Sequence, residues 1–480
     1  MSGKKNILAQ IFELKIFIPL LVLFLASMYH RIMHIDDAWL AEYAYWLYKT
    51  GHVKSELFRG YESYENQIFV CHKLFLFQGA LLIKYFGFDL YILKSLGFFY
   101  SVLTLIIIFF YLKSTISPKQ VKQHFFFILA LLLANPVFFL YSFVFRPETN
   151  VMALGLLSFY FLNLGLNNSR LPFVLLSALL SCIAVLTHLN AFIFIFAGIF
   201  LLFIEKKYIY LICYGVLSSL ISVFYFYDVL VTGDIGSFLN QLANDPALES
   251  KNFVWSTYIF NFLKEHERFF HSPKEIIFSV LLIIAITSNF RYLISHHNRL
   301  IKYTAFLILA LSIISHGKTS KYLLIYLPFL CLIITFSIGN MKEMYNKFNV
   351  LSVVLVLYFL CSPIFNFDYM NWTTPTESEN SQQVMKNIPK GVKVLAPLNL
   401  VFNQISNYQF QGLHVYRFFK EKKMYYKDTF NPFLVAQYFN NDYIIMDKEY
   451  INYYKLESYT DYSDYKLLSK GTYWIFKSTK

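Results

Sequence analysis

Long apolar stretches recur between residues 16 and 365, at about 16–33, 90–112, 124–143, 150–166, 172–187, 189–204, 208–228, 276–294, 302–315, 322–339 and 349–365. A helix crosses a bilayer core about 30 Å thick with roughly 17–25 apolar residues, so this spacing predicts about eleven membrane-spanning helices. Composition agrees: 57% of residues are hydrophobic and 15% charged, against roughly 45–50% apolar in soluble domains. A soluble enzyme is excluded. Residues 74–88 are shorter and carry Lys84, which predicts a helix lying in the interface rather than crossing it.

Loop charge orients the spans. With the N-terminus inside, the short inner loops hold Lys113, Lys119, Lys122, Arg170, Lys206, Lys207, Arg291, Arg299, Lys302, Lys342 and Lys347, while the short outer loops hold only Arg146, Lys318 and Lys321. Basic residues accumulate on the cytoplasmic side. The expectation is therefore a multi-pass plasma or inner membrane protein, with a cytoplasmic N-terminus and an extracytoplasmic C-terminus. Lys4, Lys5 and Lys15 precede the first span and no small-x-small cleavage site follows, which reads as an uncleaved span.

The net charge of +13 is explained by this topology. No basic stripe or RNA-type aromatic motif points to nucleic acid. Of the five cysteines, Cys182, Cys213, Cys331 and Cys361 lie in or at the ends of apolar runs, and with Cys71 they form no disulfide framework or CxxC metal site. No phosphate loop, nucleophile elbow, HExxH helix or GxGxxG turn occurs, so nucleotide-driven transport and serine hydrolysis have no support.

Three long segments fall on the outer face: 34–89, 229–275 and 366–480. The last is polar and rich in Asn and Tyr. Val392 to Ala396, Tyr443 to Met446 and Tyr473 to Phe476 read as strands, the first entered through a Pro389-Lys390-Gly391 turn. The expected architecture is a mainly α polytopic domain over 1–365 and a small extracytoplasmic α/β domain over 366–480, joined through Trp372 to Glu379.

Asp36 and Asp37 follow the first span directly, and acidic residues at a membrane edge are costly enough to mark function. Residues 36–50 read as an amphipathic helix with Asp36 as N-cap and Gly51 as stop; Trp39, Tyr43, Trp46 and Leu47 share a face suited to the interface. Both aspartates could simply cap this helix. Arg146-Pro147-Glu148, Thr187-His188-Leu189-Asn190 and His316-Gly317-Lys318-Thr319-Ser320-Lys321 fall on the same outer side. The plainer readings pair Arg146 with Glu148, end a helix at His188 and put Lys318 and Lys321 in a solvated loop. Together, though, carboxylates facing cations at a wet membrane edge suit a lipid-tailed substrate with an anionic head: cations would hold phosphate and a carboxylate would take a proton. His52 and His72 have no recognised metal-ligand spacing.

At this point the chain resembles the GT-C fold membrane glycosyltransferases, closest to the protein O-mannosyltransferases and the bacterial aminoarabinose-to-lipid A transferases. Asp36, Asp37, Glu42 and Thr50-Gly51 carry the match, supported by an amphipathic segment ending in Phe86-Gly87, by Arg146-Pro147-Glu148, and by Lys321-Tyr322 through Leu327-Pro328. Where the family often has Lys-Pro-Pro, this chain reads Cys71-His72-Lys73-Leu74. The resemblance spans about 1–365. It implies a polyprenyl-phosphate-sugar donor, an extracytoplasmic lipid, glycan or protein acceptor, and inverting displacement with Asp36 as general base and Asp37 beside it. Glu42, Arg146, Glu148, His188, Lys318 and Lys321 are the substrate-binding candidates. No cofactor is certain; some relatives place a divalent metal near the acid, which leaves a metal at Asp37 open. The competing reading is a non-enzymatic flippase or transporter of lipid-linked glycans, disfavoured by the scarcity of midplane charges.

Overall fold

A computed structural model describes residues 16–244, 255–315, 318–341, 350–370, 377–425, 430–458 and 462–480. The chain runs through α1 (Phe17–Ala26), α2 (Ile35–Thr50), α3 (Lys73–Phe86), α4 (Leu90–Thr115), α5 (Pro118–Ala134), α6 (Glu148–Asn168), α7 (Leu171–Thr187), α8 (Phe192–Ile204), α9 (Tyr208–Ser222), α10 (Pro273–His296), α11 (Asn298–Ile314), α12 (Leu323–Met341) and α13 (Val350–Asn366), with shorter helices between. Local sequence sets many of these ends. Asp89 caps α4 by accepting from the Tyr91 and Ile92 amides, and Pro118 and Pro273 stand in the first turns of α5 and α10, where no donor is lost.

Each apolar stretch holds a helix, yet among the described residues only six helical segments are long and apolar enough to cross a bilayer: 90–115, 148–168, 208–232, 273–296, 320–339 and 350–369. The expected count of eleven is not reached by length, because α1, α5, α7, α8 and α11 are each 10–17 residues long. Burial ranks the six. The 320–339 and 148–168 segments are 83% and 72% buried, against 17% for 208–232, so α6 and α12 form the bundle centre and the segment containing α9 its rim. Small and polar residues tie the central α6 to α7 and, at the rim, to α9: the Ser158 hydroxyl meets Ser177 at 2.9 Å and Ser181 at 2.7 Å, and Ser181 meets the Tyr214 hydroxyl at 2.9 Å.

The C-terminal segment forms a five-stranded sheet in the order β2-β1-β3-β5-β4. Strands β1 (Lys393–Ala396), β2 (Gln409–Gly412) and β3 (Tyr443–Asp447) are parallel, while β5 (Tyr473–Ser478) runs antiparallel to β3 and to β4 (Tyr465–Lys470). Strands β1, β3 and β5 match the expected runs, and Gly391 takes the positive φ of 84° that the turn before β1 requires. Strands β2 and β4 are additions. Most of the expected linker, 372–376, lies outside the described residues, and Glu377 already begins a helix.

The sheet is not a separate body. Its core residues and those of 33–93 make one buried cluster, distinct from the core of the helix bundle. Trp39 packs on His414 with ring centres 5.2 Å apart, Phe58 stacks on Phe418 at 6.3 Å, and the Gly412 amide donates to the Leu57 carbonyl at 3.0 Å. The amphipathic helix therefore buries its aromatic face against protein, not against lipid headgroups as the sequence suggested.

Candidate active site

The site begins at the start of α2. The N-cap is His34, two residues earlier than expected: its Nδ1 accepts from the Asp36 amide at 3.2 Å, while the Asp37 carboxylate reaches back to the His34 amide at 2.8 Å. This capping box consumes Asp37 and leaves the Asp36 side chain for other partners. The helix stops at Gly51, φ 81°, as its sequence requires.

The two aspartates then diverge. Asp37 is fully buried. One oxygen accepts from the Phe145 amide at 2.6 Å; the other lies 3.4 Å from Nζ of Lys94, itself buried within α4. Asp36 is half-buried and ion-pairs with the Arg146 guanidinium. Arg146 in turn forks onto Glu148, Nε to Oε2 at 3.0 Å and Nη2 to Oε1 at 2.6 Å. One buried guanidinium thus links two carboxylates, and bidentate geometry fixes its plane.

Two histidines complete this end of the bundle. His72, before α3, stacks on His188, after α7, with ring centres 4.5 Å apart, and His188 meets the edge of Tyr322 at 5.9 Å. Nδ1 of His188 accepts from the Asn190 amide at 3.0 Å. Burial lowers His72 to about 4, and burial plus the neighbouring His72 holds His188 well below the usual imidazole range. His34 falls to about 4 through burial and the adjacent Arg146. All three rings are neutral at pH 7, so positive charge here comes from Arg146 and from Lys321, whose Nζ lies 5.3 Å over the Tyr322 ring.

Asp36, Arg146, Glu148 and His188 are thus brought together, with Lys321 linked through Tyr322. Lys318 is not: its ammonium donates to Glu265 at 2.8 Å and to the Ser312 and Ser315 carbonyls at 3.0 and 3.2 Å. Glu265 also binds the fully buried Arg268 at 2.8 Å, so Lys318 belongs to a cluster that seats the α11–α12 turn. Glu42 is likewise spent on structure. Its carboxylate accepts from Ser55 Oγ at 2.5 Å, the Glu56 and Leu57 amides at 2.7 and 3.1 Å, and Trp46 Nε1 at 3.0 Å. His316 and Gly317 lie outside the described residues.

A metal does not fit at Asp37. Both oxygens are taken by amides and by a lysine cation, and among the described residues no three His, Cys, Asp or Glu side chains gather as a metal-binding group. Sequence reasoning missed Lys94 and the Glu265–Arg268 pair, and set His72 aside. A lysine inside an apolar span was itself a signal for Lys94. Lys73, at the departed Lys-Pro-Pro position, is ion-paired with Asp228 and lies 4.8 Å over the Tyr225 ring.

No protein-family model and no curated protein sequence matches the chain. Solved structures do. ArnT from Cupriavidus metallidurans in the apo state superposes with a TM-score of 0.64 at 11% identity over 96% of this chain and 97% of that one. The same protein bound to undecaprenyl phosphate gives 0.65 at 10% identity over the same shares. AglB, the archaeal oligosaccharyltransferase from Archaeoglobus fulgidus, in complex with an inhibitory peptide and a dolichol-phosphate, gives 0.53 at 11% identity over 92% of this chain and 70% of its own. At such identities the likeness establishes the fold alone: the chain has the GT-C architecture with a small C-terminal sheet, and six of its described helical segments are long and apolar enough to cross a membrane.

Proposed function

We propose that the protein is an integral membrane glycosyltransferase that moves a sugar from a polyprenyl-phosphate donor to an extracytoplasmic acceptor. The observation that carries this reading is the Asp36–Arg146 pair at the mouth of a GT-C bundle. It joins a half-buried carboxylate to a fixed guanidinium, the two groups such a transfer most needs. Solved relatives in fold hold undecaprenyl phosphate or dolichol-phosphate, which supports the class of donor.

The chemistry follows from a good leaving group. The acceptor nucleophile attacks the anomeric carbon from the face opposite the phosphate, a new glycosidic bond forms, and the carbon–oxygen bond to phosphate breaks with inversion. The electron pair leaves with the lipid phosphate, and the acceptor's proton passes to Asp36. Arg146 neutralises the departing phosphate with a rigid fork, and Lys321 adds charge at the same end. Donor phosphate competes with Asp36 for Arg146, so donor binding frees the carboxylate. Asp37 positions the helix that carries Asp36, and Glu148 holds the plane of Arg146. The stacked neutral rings of His72 and His188 pack beside them. The asymmetry of loop charge supports an extracytoplasmic position for this face and the C-terminal sheet. The 366–480 segment, joined in one core to the loop that carries Asp36, would present the acceptor.

The test supplies purified protein with undecaprenyl-phosphate sugars and lipid, glycan or peptide acceptors. Asp36→Asn is expected to abolish transfer while leaving expression and melting intact; undiminished transfer in that variant would overturn the catalytic assignment.

A further inference from the structure

A concavity lies away from the Asp36–Arg146 pair. It is a cleft of about 420 Å³ between the middle of α2 and the sheet domain, walled by Tyr45 and Trp46 on one side and by Ile405 to Phe410 on the other. Glu42, at its base, is six residues past Asp36 on the same helix, about 9 Å along the axis at 1.5 Å per residue. The cleft is thus assembled from two distant parts of the chain and lies within reach of the reacting end.

Its lining excludes most ligands. Among the described residues that line it there is no Lys or Arg, and the nearby cations Lys54 and Arg59 are spent on Glu56 at 3.2 and 2.9 Å, so a phosphate would have to break an ion pair to find a counter-charge. An alkyl chain is equally ill-suited, because the polar residues Ser406, Asn407 and Gln409 are part of the lining. Flat aromatic surface beside amides and a hydroxyl is the combination that a sugar ring satisfies. Its apolar C–H face covers an aromatic ring, and its hydroxyls exchange bonds with amides. Trp46 is pre-set for this: its Nε1 donates to Glu42 at 3.0 Å, and Lys54 Nζ lies 4.2 Å over the ring. The half-buried indole therefore loses little freedom when a ligand covers it.

We propose that this cleft binds an uncharged sugar ring, and that the ring belongs to the acceptor. Assignment to the acceptor rests on the transferase reading above; binding of the sugar does not. The acceptor would then be a glycan or glycolipid, held by an internal residue while its reacting end lies against Asp36.

Saturation-transfer NMR on the purified full chain, with a panel of methyl glycosides of glucose, mannose, galactose and N-acetylglucosamine and their disaccharides, tests this directly. Saturable binding of at least one panel member is expected. Two variants should weaken it at least about tenfold, equivalent to roughly 1.4 kcal/mol: Trp46→Ala, which removes the platform, and Ser406→Trp, which fills the cleft from an exposed position and should not alter melting. Asp36→Asn should bind as the unmodified protein does, which separates failure of this proposal from failure of the transfer chemistry. No saturable binding across the panel, binding unchanged in Ser406→Trp, or binding of a Ser/Thr/Asn peptide with none of the sugars would each overturn it.

Discussion

Neighbouring residues on a helix point about 100° apart, and at Asp36 and Asp37 that angle separates two roles. Asp37 turns into the protein, where two backbone amides and Lys94 saturate it; Asp36 turns toward Arg146 at the bundle mouth. Removing one partner of a buried pair strands the other, at a cost of about 3–5 kcal/mol. Asp37→Asn is therefore expected to lower the melting temperature in detergent sharply, because the Lys94 ammonium stays buried without its counter-charge. Asp36→Asn should melt near the parent, since Arg146 keeps Glu148. Equal melting of both variants would refute the division. Arg146→Lys keeps the charge but loses the fork onto Glu148, and transfer is expected to fall on the order of 10²-fold, read as kcat/KM for the donor. The pair itself was legible in the sequence because acidic residues beside a span are rare. Their separation was not: it depends on Phe145 and Lys94, whose amide and ammonium arrive from elsewhere in the chain. Lys318 misled for the same reason, since Glu265 reaches it from 53 residues away.

At the scale of elements, α2 shows what local sequence can and cannot carry. Its extent and its Gly51 stop follow from periodicity and from the left-handed C-terminal residue. The cap moved to His34 because an imidazole nitrogen can accept from a first-turn amide as an aspartate would, an option that Asp36 obscured. Glu42 gives this helix a pH signature. Burial lifts its carboxyl from 4.5 to about 7, against the opposing bonds from Ser55, Trp46 and the backbone. A raised carboxyl pKa means the folded state binds the proton more tightly than the unfolded chain. Its stabilisation is complete below about 4.5 and is lost as pH rises to 7, by roughly 3 kcal/mol. His34 and His72, lowered from 6.5 to about 4, act in the opposite sense: their contribution is present above 6.5 and is lost as pH falls toward 4. The difference between Glu42→Gln and the parent isolates the glutamate. Relative to the parent, the variant should gain stability from about pH 5 to pH 7 in thermal melts and level off above that; a pH-independent difference would show that Glu42 does not titrate there. The strands were legible where they form unbroken apolar runs, and β2, buried at Phe410 to Gly412 but written Gln-Phe-Gln-Gly, has none. Strands β1 and β3 are almost wholly inward-facing apolar runs, whereas β4, buried at Tyr465 but exposed over most of its length, has no such run.

For the whole molecule, the helix bundle was legible as a class because hydrocarbon imposes apolar length on every span, a constraint written residue by residue. The union of the outer loop with the sheet was not. It depends on aromatic contacts across more than three hundred residues, such as Phe58 with Phe418 at 6.3 Å and Tyr61 with Phe418 at 5.7 Å. Division of the chain at 365 follows composition, whereas the physical seam runs around the loop that carries the aspartates. This has a mechanical consequence. The Gly412 amide holds the Leu57 carbonyl at 3.0 Å, Gln411 Nε2 holds the Arg59 carbonyl at 2.9 Å, and Glu42 holds the Glu56 and Leu57 amides. The sheet therefore clamps the 55–59 turn, and that turn clamps α2 six residues beyond Asp36. Phe418→Ala opens a cavity at the centre of the clamp, with a cost of about 3 kcal/mol or less at this half-buried site. Hydrogen exchange should then quicken at the amides of 53–68 as well as at 409–421, with the central helices α6 and α12 unchanged. If the shared core positions Asp36, transfer should fall in the same variant while the donor KM stays constant, since no donor contact is touched. Quickened exchange confined to 409–421 would mean that the loop holds its shape alone, and that the sheet only rests upon it.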